Sequence, residues 1–240
     1  MENTKKAQFV QGLKAGAPVV FGYIPVGMAY AIMARQAGLS LVQTCGMSVA
    51  VFAGASQMLA VGMYAYGAEI LAIVLATFIL NLRHLIMSTC VIKNISNAGR
   101  GMKLLAAFGV TDESFAIFTA WKPEKGSVMF FLGLATITYG SWNVGTLLGA
   151  VASDFLPAIV TASLGIALYA MFISILTPSL THNLGLAILV GATAVCNSIL
   201  TQFMPSGWAL IISTIVCAFA GINFVDLGEK EEESKTYGQC

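Results

Sequence analysis

Between Lys125 and Asp226, a hundred consecutive positions hold a single formally charged residue, Asp154. No water-soluble fold can cover its surface with so little charge, whereas a fold immersed in lipid has no need to. The whole 240-residue chain is 58% hydrophobic and 10% charged, against about 25% charged in ordinary soluble domains. Its mean hydropathy is +0.83. Within hydrocarbon every backbone N–H and C=O must find a partner inside the protein, which leaves helices for apolar runs of this length. The fold class is therefore all-α, a polytopic transmembrane helix bundle.

Apolar runs mark eight segments, at about residues 15–34, 41–66, 68–92, 104–121, 127–150, 157–178, 183–201 and 207–225. Their short connections point to one transmembrane domain over residues 15–225. A polar cytoplasmic segment (residues 1–14) precedes it and a charged, disordered tail (226–240) follows. The first apolar segment has no clear signal-peptidase site and reads as a retained helix.

The net charge of +1 gives no basic field for nucleic acid. Five cysteines without CxxC spacing indicate neither a disulfide framework nor a metal centre, and no cofactor is implied. Walker, GxSxG and HExxH motifs are missing, so the chain does not read as an enzyme or an ATP-driven pump.

Three segments in the first half are interrupted. Gly22-Tyr23-Ile24-Pro25-Val26-Gly27 places a proline mid-span, Gly54-Ala55-Ser56-Gln57 places polar groups beside a glycine, and Gly109-Val110-Thr111-Asp112-Glu113-Ser114 does the latter with acids added. A single such site is a tolerated kink. Three of them, each with polar groups, predict broken or re-entrant helices that line a site. Lys5, Lys6 and Lys14, and then Arg83, His84, Lys93, Arg100 and Lys103, should all be cytoplasmic by the positive-inside rule. An even number of crossings must separate the two clusters, yet three segments do. The 41–66 stretch is the one predicted to be re-entrant or hairpinned, and Lys122 and Lys125 raise the same question for 104–121.

The pair Asp112 and Glu113 sits at the centre of an otherwise apolar run. Each acid opposes insertion by roughly 2.5–3.5 kcal/mol unless it faces protein or water. A chain that keeps both is expected to use them on a proton, a cation or an ammonium group. Adjacent helical residues point about 100° apart, so one acid can face the path while the other pairs with Arg83 or Lys103 or sits in the first turn of a half-helix starting near Thr111. Arg83 and His84 either snorkel to the interface or join the acids, and the ordinary histidine pKa of about 6.5 suits a proton relay. N–H groups exposed at the Gly22–Gly27 and Gly54–Gln57 breaks would receive a carboxylate. The substrate-binding candidates there are Gly22, Pro25 (which frees the Phe21 carbonyl), Gly54, Ser56 and Gln57, with Asn81 and Asn143 as further polar contacts. Phe21, Tyr23, Phe52 and Met58 would supply apolar ones. Asn143 can equally bond across helices, and Ser141, Gly145 and Gly149 form a small-residue packing stripe. Asp154, three residues before Pro157, reads as a helix start.

The order of these motifs, from Gly12-Leu13-Lys14-Ala15-Gly16 through Phe52-Ala53-Gly54-Ala55-Ser56-Gln57, Asn81-Leu82-Arg83-His84, Asp112-Glu113-Ser114-Phe115, Trp142-Asn143-Val144-Gly145 and Asp154-Phe155-Leu156-Pro157-Ala158, resembles the AzlC-type branched-chain amino acid exporter family over about residues 10–200. The resemblance implies the large subunit of a two-component permease in the bacterial cytoplasmic membrane. It implies proton-driven export of branched-chain or related hydrophobic amino acids and a small AzlD-type membrane partner. The acidic tail lies outside the pattern. A small-solute channel and a non-transporting scaffold subunit are the alternatives.

Overall fold

A computed structural model describes residues 2–95, 98–121, 127–155 and 183–224, together with 173, 177 and 180. Among these residues there are nine helices and no strand, in agreement with an all-α membrane bundle. The 157–178 segment falls almost wholly outside the described residues, as does the tail.

Helix α1 (Glu2–Gln36) is continuous through Pro18 and Pro25. This corrects the expected break at Gly22–Gly27 and carries the helix back through the polar first fourteen residues. An internal proline forfeits one backbone bond and strains the preceding turn, but α1 is clamped along its length by α7 (Val128–Ala152). A Cβ built on Gly12 or Gly27 of α1 would collide with the backbone of Phe130 or Trp142. One built on Gly133, Gly145 or Gly149 of α7 would collide with Phe9, Ile24 or Met28. The contacts advance in the same direction along both helices, so α1 and α7 run parallel with backbones touching. Small residues permit this approach where lipid offers no hydrophobic drive to association. The clamp outweighs the cost of the proline.

The 41–66 stretch is indeed broken. It forms α2 (Leu41–Ala50) and α3 (Gly54–Ala65), with the extended residues 51–53 between them. The break falls just before Gly54, and Ser56 and Gln57 lie inside α3. The 104–121 stretch is likewise split into α5 (Arg100–Phe108) and α6 (Asp112–Ala120). Each of the four pieces is about 14–18 Å long at 1.5 Å per residue, near half the hydrocarbon thickness.

Helix α4 (Ile70–Asn94) keeps Leu71, Val74, Phe78 and Leu85 exposed on one face, a stripe suited to lipid. Both α4 and Lys5–Gln36 of α1 are long and apolar enough to cross a membrane. Arg83 and His84 lie at the midpoint of α4, not near its end, so they drop out of the basic cluster at that loop. Lys93, Arg100 and Lys103 remain there. Helices α8 (Leu184–Leu200) and α9 (Ser206–Phe224) pack together, Gly221 meeting Leu189.

Three apolar clusters hold the bundle. Tyr30, Phe52, Met58 and Trp142 join α1, α3 and α7. Phe115, Phe118, Phe130 and Phe131 join α6 to α7, where Trp121 stacks on Phe130 with ring centroids 3.6 Å apart. Met63, Ala72 and Ile211 tie α3 and α4 to α9. Arg35 donates to Asp154 at 2.8 Å and to the Leu39 carbonyl at 3.1 Å, fastening the end of α1 to the end of α7. Asp154 is thus an ion-pair partner, and the helix start expected after it lies outside the described residues. Cys45, Cys196 and Cys217 are free thiols.

Candidate functional site

The two breaks meet. Residues 52–55, at the start of α3, and Thr111, Asp112 and Glu113, at the start of α6, line one cavity of about 310 Å³. Its other walls come from the middle turns of the three long helices: Val19, Gly22, Tyr23 and Val26 of α1, Arg83 and His84 of α4, and Trp142 of α7. A cavity lined from helix midpoints lies at mid-depth in the bundle. Its volume sits at the small end of ligand pockets, about 300–1,000 Å³.

The two helix starts are built differently. At α6, Thr111 is the N-cap: its hydroxyl accepts from the Ser114 N–H at 3.2 Å, and the Ser114 hydroxyl oxygen accepts from the Thr111 N–H at 2.8 Å. This reciprocal box satisfies two backbone donors and fixes the break. Asp112 and Glu113 then occupy the first turn, where the helix dipole favours negative charge. At α3 the N-cap position is Ala53, and no side chain caps the helix. Gly54 and Ala55, whose N–H groups have no partner within the helix, line the cavity.

The acids part company as their helical spacing requires. Asp112 Oδ2 receives Arg83 Nη1 at 2.9 Å across from α4, with both side chains two-fifths to one-half exposed. Glu113 Oε2 receives the Tyr23 hydroxyl of α1 at 2.5 Å. That hydroxyl is also 2.9 Å from Thr111 Oγ1. A phenol carries one proton, so donation to Glu113 leaves Thr111 to donate to the tyrosine oxygen. Arg83 neutralises Asp112, whereas Glu113 forms no ion pair among the described residues. Among the described residues the cavity therefore offers one carboxylate without an ion-pair partner, one helix start without a side-chain cap, and apolar walls at Val19, Val26, Phe52 and Trp142.

Of the residues singled out from sequence, Gly22, Gly54, Arg83, His84, Asp112 and Glu113 line this cavity; Pro25, Ser56, Gln57, Asn81 and Asn143 do not. Ser56 donates back to the Ala53 carbonyl at 2.9 Å and Asn143 to the Tyr139 carbonyl at 2.9 Å. Asn81 Oδ1 is buried and has no hydrogen-bond partner among the described residues. Gln57 is fully buried against Trp142 and Ser48. Among the apolar candidates, Tyr23 and Phe52 line the cavity, while Met58 is buried in the core and Phe21 is exposed. Tyr23 was expected only as an apolar contact, and its bond to Glu113 spans 90 positions of sequence. Trp142 stood in a quoted motif without a role.

The family model described as AzlC protein matches residues 18–156, which hold the whole cavity lining. The chain belongs to the AzlC family. It is similar to the inner membrane protein YgaZ of Escherichia coli, with 33% identity over 199 residues, 78% of this chain and 81% of that protein. An uncharacterized membrane protein of Archaeoglobus fulgidus is 32% identical over 82% of this chain and 88% of its own length. The branched-chain amino acid transport protein AzlC of Bacillus subtilis is 30% identical over 142 residues, 58% of this chain and 55% of that protein. No solved structure matches. Four of the motifs that suggested the AzlC family, those around Gly54, Arg83, Asp112 and Trp142, converge on the cavity from separate helices.

Proposed function

We propose that this AzlC-family membrane transport protein exports branched-chain or related hydrophobic amino acids across the bacterial cytoplasmic membrane, driven by the proton gradient. The membrane unit is the single domain over residues 15–225, flanked by the 1–14 segment and the 226–240 tail. It works with a small AzlD-type membrane subunit, as the family resemblance implies. The supporting observation is that one cavity is lined both by the uncapped start of α3 and by Glu113, which has no ion-pair partner among the described residues. An amino acid is a zwitterion, so its carboxylate suits the helix start and its ammonium suits Glu113. Its side chain then meets Val26, Phe52 and Trp142.

Glu113 is the group that exchanges ammonium for proton, with Tyr23 as its hydrogen-bond partner. Asp112, held by Arg83, and the adjacent His84 set the field around it. Gly22 and Gly54 give the substrate room. Pro25, Ser56, Gln57, Asn81 and Asn143 serve from outside the lining, by shaping the walls.

The test is leucine counterflow in proteoliposomes, with and without the small subunit. Saturable, proton-coupled leucine exchange that the Asp112→Asn, Glu113→Gln double variant abolishes is the expected result. Normal exchange by that variant would remove the carboxylates from the mechanism. Flux without saturation would make the protein a channel, and no flux with the partner present would make it a scaffold.

A further inference from the structure

Trp142 lines the cavity yet is only 3% exposed, because its ring is held from several sides. Its indole Nε1 donates to Gln57 Oε1 at 3.1 Å. Tyr23 meets it edge-on with centroids 5.7 Å apart, and Tyr30 stacks on it at 6.1 Å. The far edge of the ring rests on the start of α3: a Cβ at Gly54 would lie 2.6 Å from Cη2 and 3.0 Å from Cζ2. Gln57 is itself fixed. Its Nε2 donates to Ser48 Oγ at 3.1 Å, Ser48 and Thr146 share a 2.8 Å hydroxyl bond, and Thr146 donates back to the Trp142 carbonyl at 3.0 Å. This closed network ties α2, α3 and α7 together in an apolar interior, where satisfied polar groups rigidify their surroundings.

The anchor proposed for the substrate carboxylate and the indole edge are thus in contact. An amino acid held at the first N–H groups of α3 has its Cα and side chain beside the ring. A fixed ring cannot yield to a larger side chain. Resting on the transport reading above, we infer that Trp142 is the specificity-determining wall that limits the side chain carried to aliphatic size and excludes aromatic amino acids. Gln57 is the positioning residue that keeps the wall in place.

Leucine and phenylalanine, offered together to proteoliposomes holding the protein and its small subunit, give a flux ratio independent of how much of a variant folds. Trp142→Phe should raise phenylalanine relative to leucine about 10-fold or more, the scale on which apolar pockets sort side-chain size. Gln57→Leu, which removes the acceptor of the indole N–H and lets the intact ring shift, should move the ratio the same way by less. Gly54→Ala brings a Cβ within 2.6 Å of Cη2, so the ring and the α3 start must shift relative to each other, and with valine added to the mixture the leucine-to-valine ratio should change. These three variants approach the wall from different helices, so loss of one leaves the ratio readable in the others. Wild-type leucine transport with all ratios unchanged within about twofold overturns this role for Trp142 and leaves the transport reading intact. Failure of the wild-type protein to move any amino acid overturns the transport reading itself, and this inference with it.

Discussion

The starts of α3 and α6 face the same cavity and are opposites in construction. The α6 start is finished by its own chain: Thr111 and Ser114 close a capping box and two acids fill the first turn. The α3 start is left open, with Ala53 and Gly54 where a cap would stand. A capped end holds its shape without help, whereas an uncapped end in a cavity keeps its donors for whatever enters. One broken helix begins with two acidic side chains and the other with an uncapped start, and the proposed zwitterion would use one feature at each of its ends.

This contrast can be broken at either end, and the largest effect should come from the charge. Glu113→Gln should cut leucine counterflow by about 100-fold, the worth of a hydrogen bond to a charged group. Asp112→Asn should cost less, because that carboxylate already belongs to Arg83. Equal losses would mean that the acids act as a unit. Next, Ala53→Asp would turn the open start into a closed one. The new carboxylate should occupy the donors, weaken leucine binding by about 10-fold and stabilise the fold by about 1 kcal/mol. Calorimetric binding and thermal unfolding of the same detergent preparation would separate the two effects. A variant that binds leucine normally would show that the donors do not hold the substrate.

Effects on the capping box should be smaller. Thr111→Ala should lower stability by about 1 kcal/mol, with Thr111→Ser restoring it, as read from thermal unfolding. Smallest of all, Ser56→Ala should cost only about 0.5 kcal/mol, because that hydroxyl merely donates to the Ala53 carbonyl within its own turn. A larger loss at Ser56 than at Thr111 would reverse the ranking of the two helix starts.

The half-helix beginning near Thr111 was legible in the sequence because capping chemistry is local. A threonine, two acids and a serine within four residues encode it. The break before α3 was legible only approximately. Polar Ser56 and Gln57 drew attention to the wrong side of Gly54, since nothing in their neighbourhood reveals that Gln57 is satisfied by Trp142, 85 positions away. Pro25 misled for the same reason: its cost is local, but the glycine contacts with α7 that override it are distant. Arg83 and His84 resembled a helix end because charge ordinarily marks one, and only the partner at Asp112 explains their place at mid-helix. Family membership needed no such distant information, since the motifs that carry it are contiguous.

The parallel union of α1 and α7 has a mechanical corollary. Two backbones in direct touch through Gly12, Gly27, Gly133, Gly145 and Gly149 cannot slide or separate by small steps without unseating several contacts at once. They form a stationary spine that bears Tyr23 on one member and Trp142 on the other. Any rocking that opens the chamber to one compartment and then the next falls to the short, hinged pieces around it: α2 with α3, and α5 with α6.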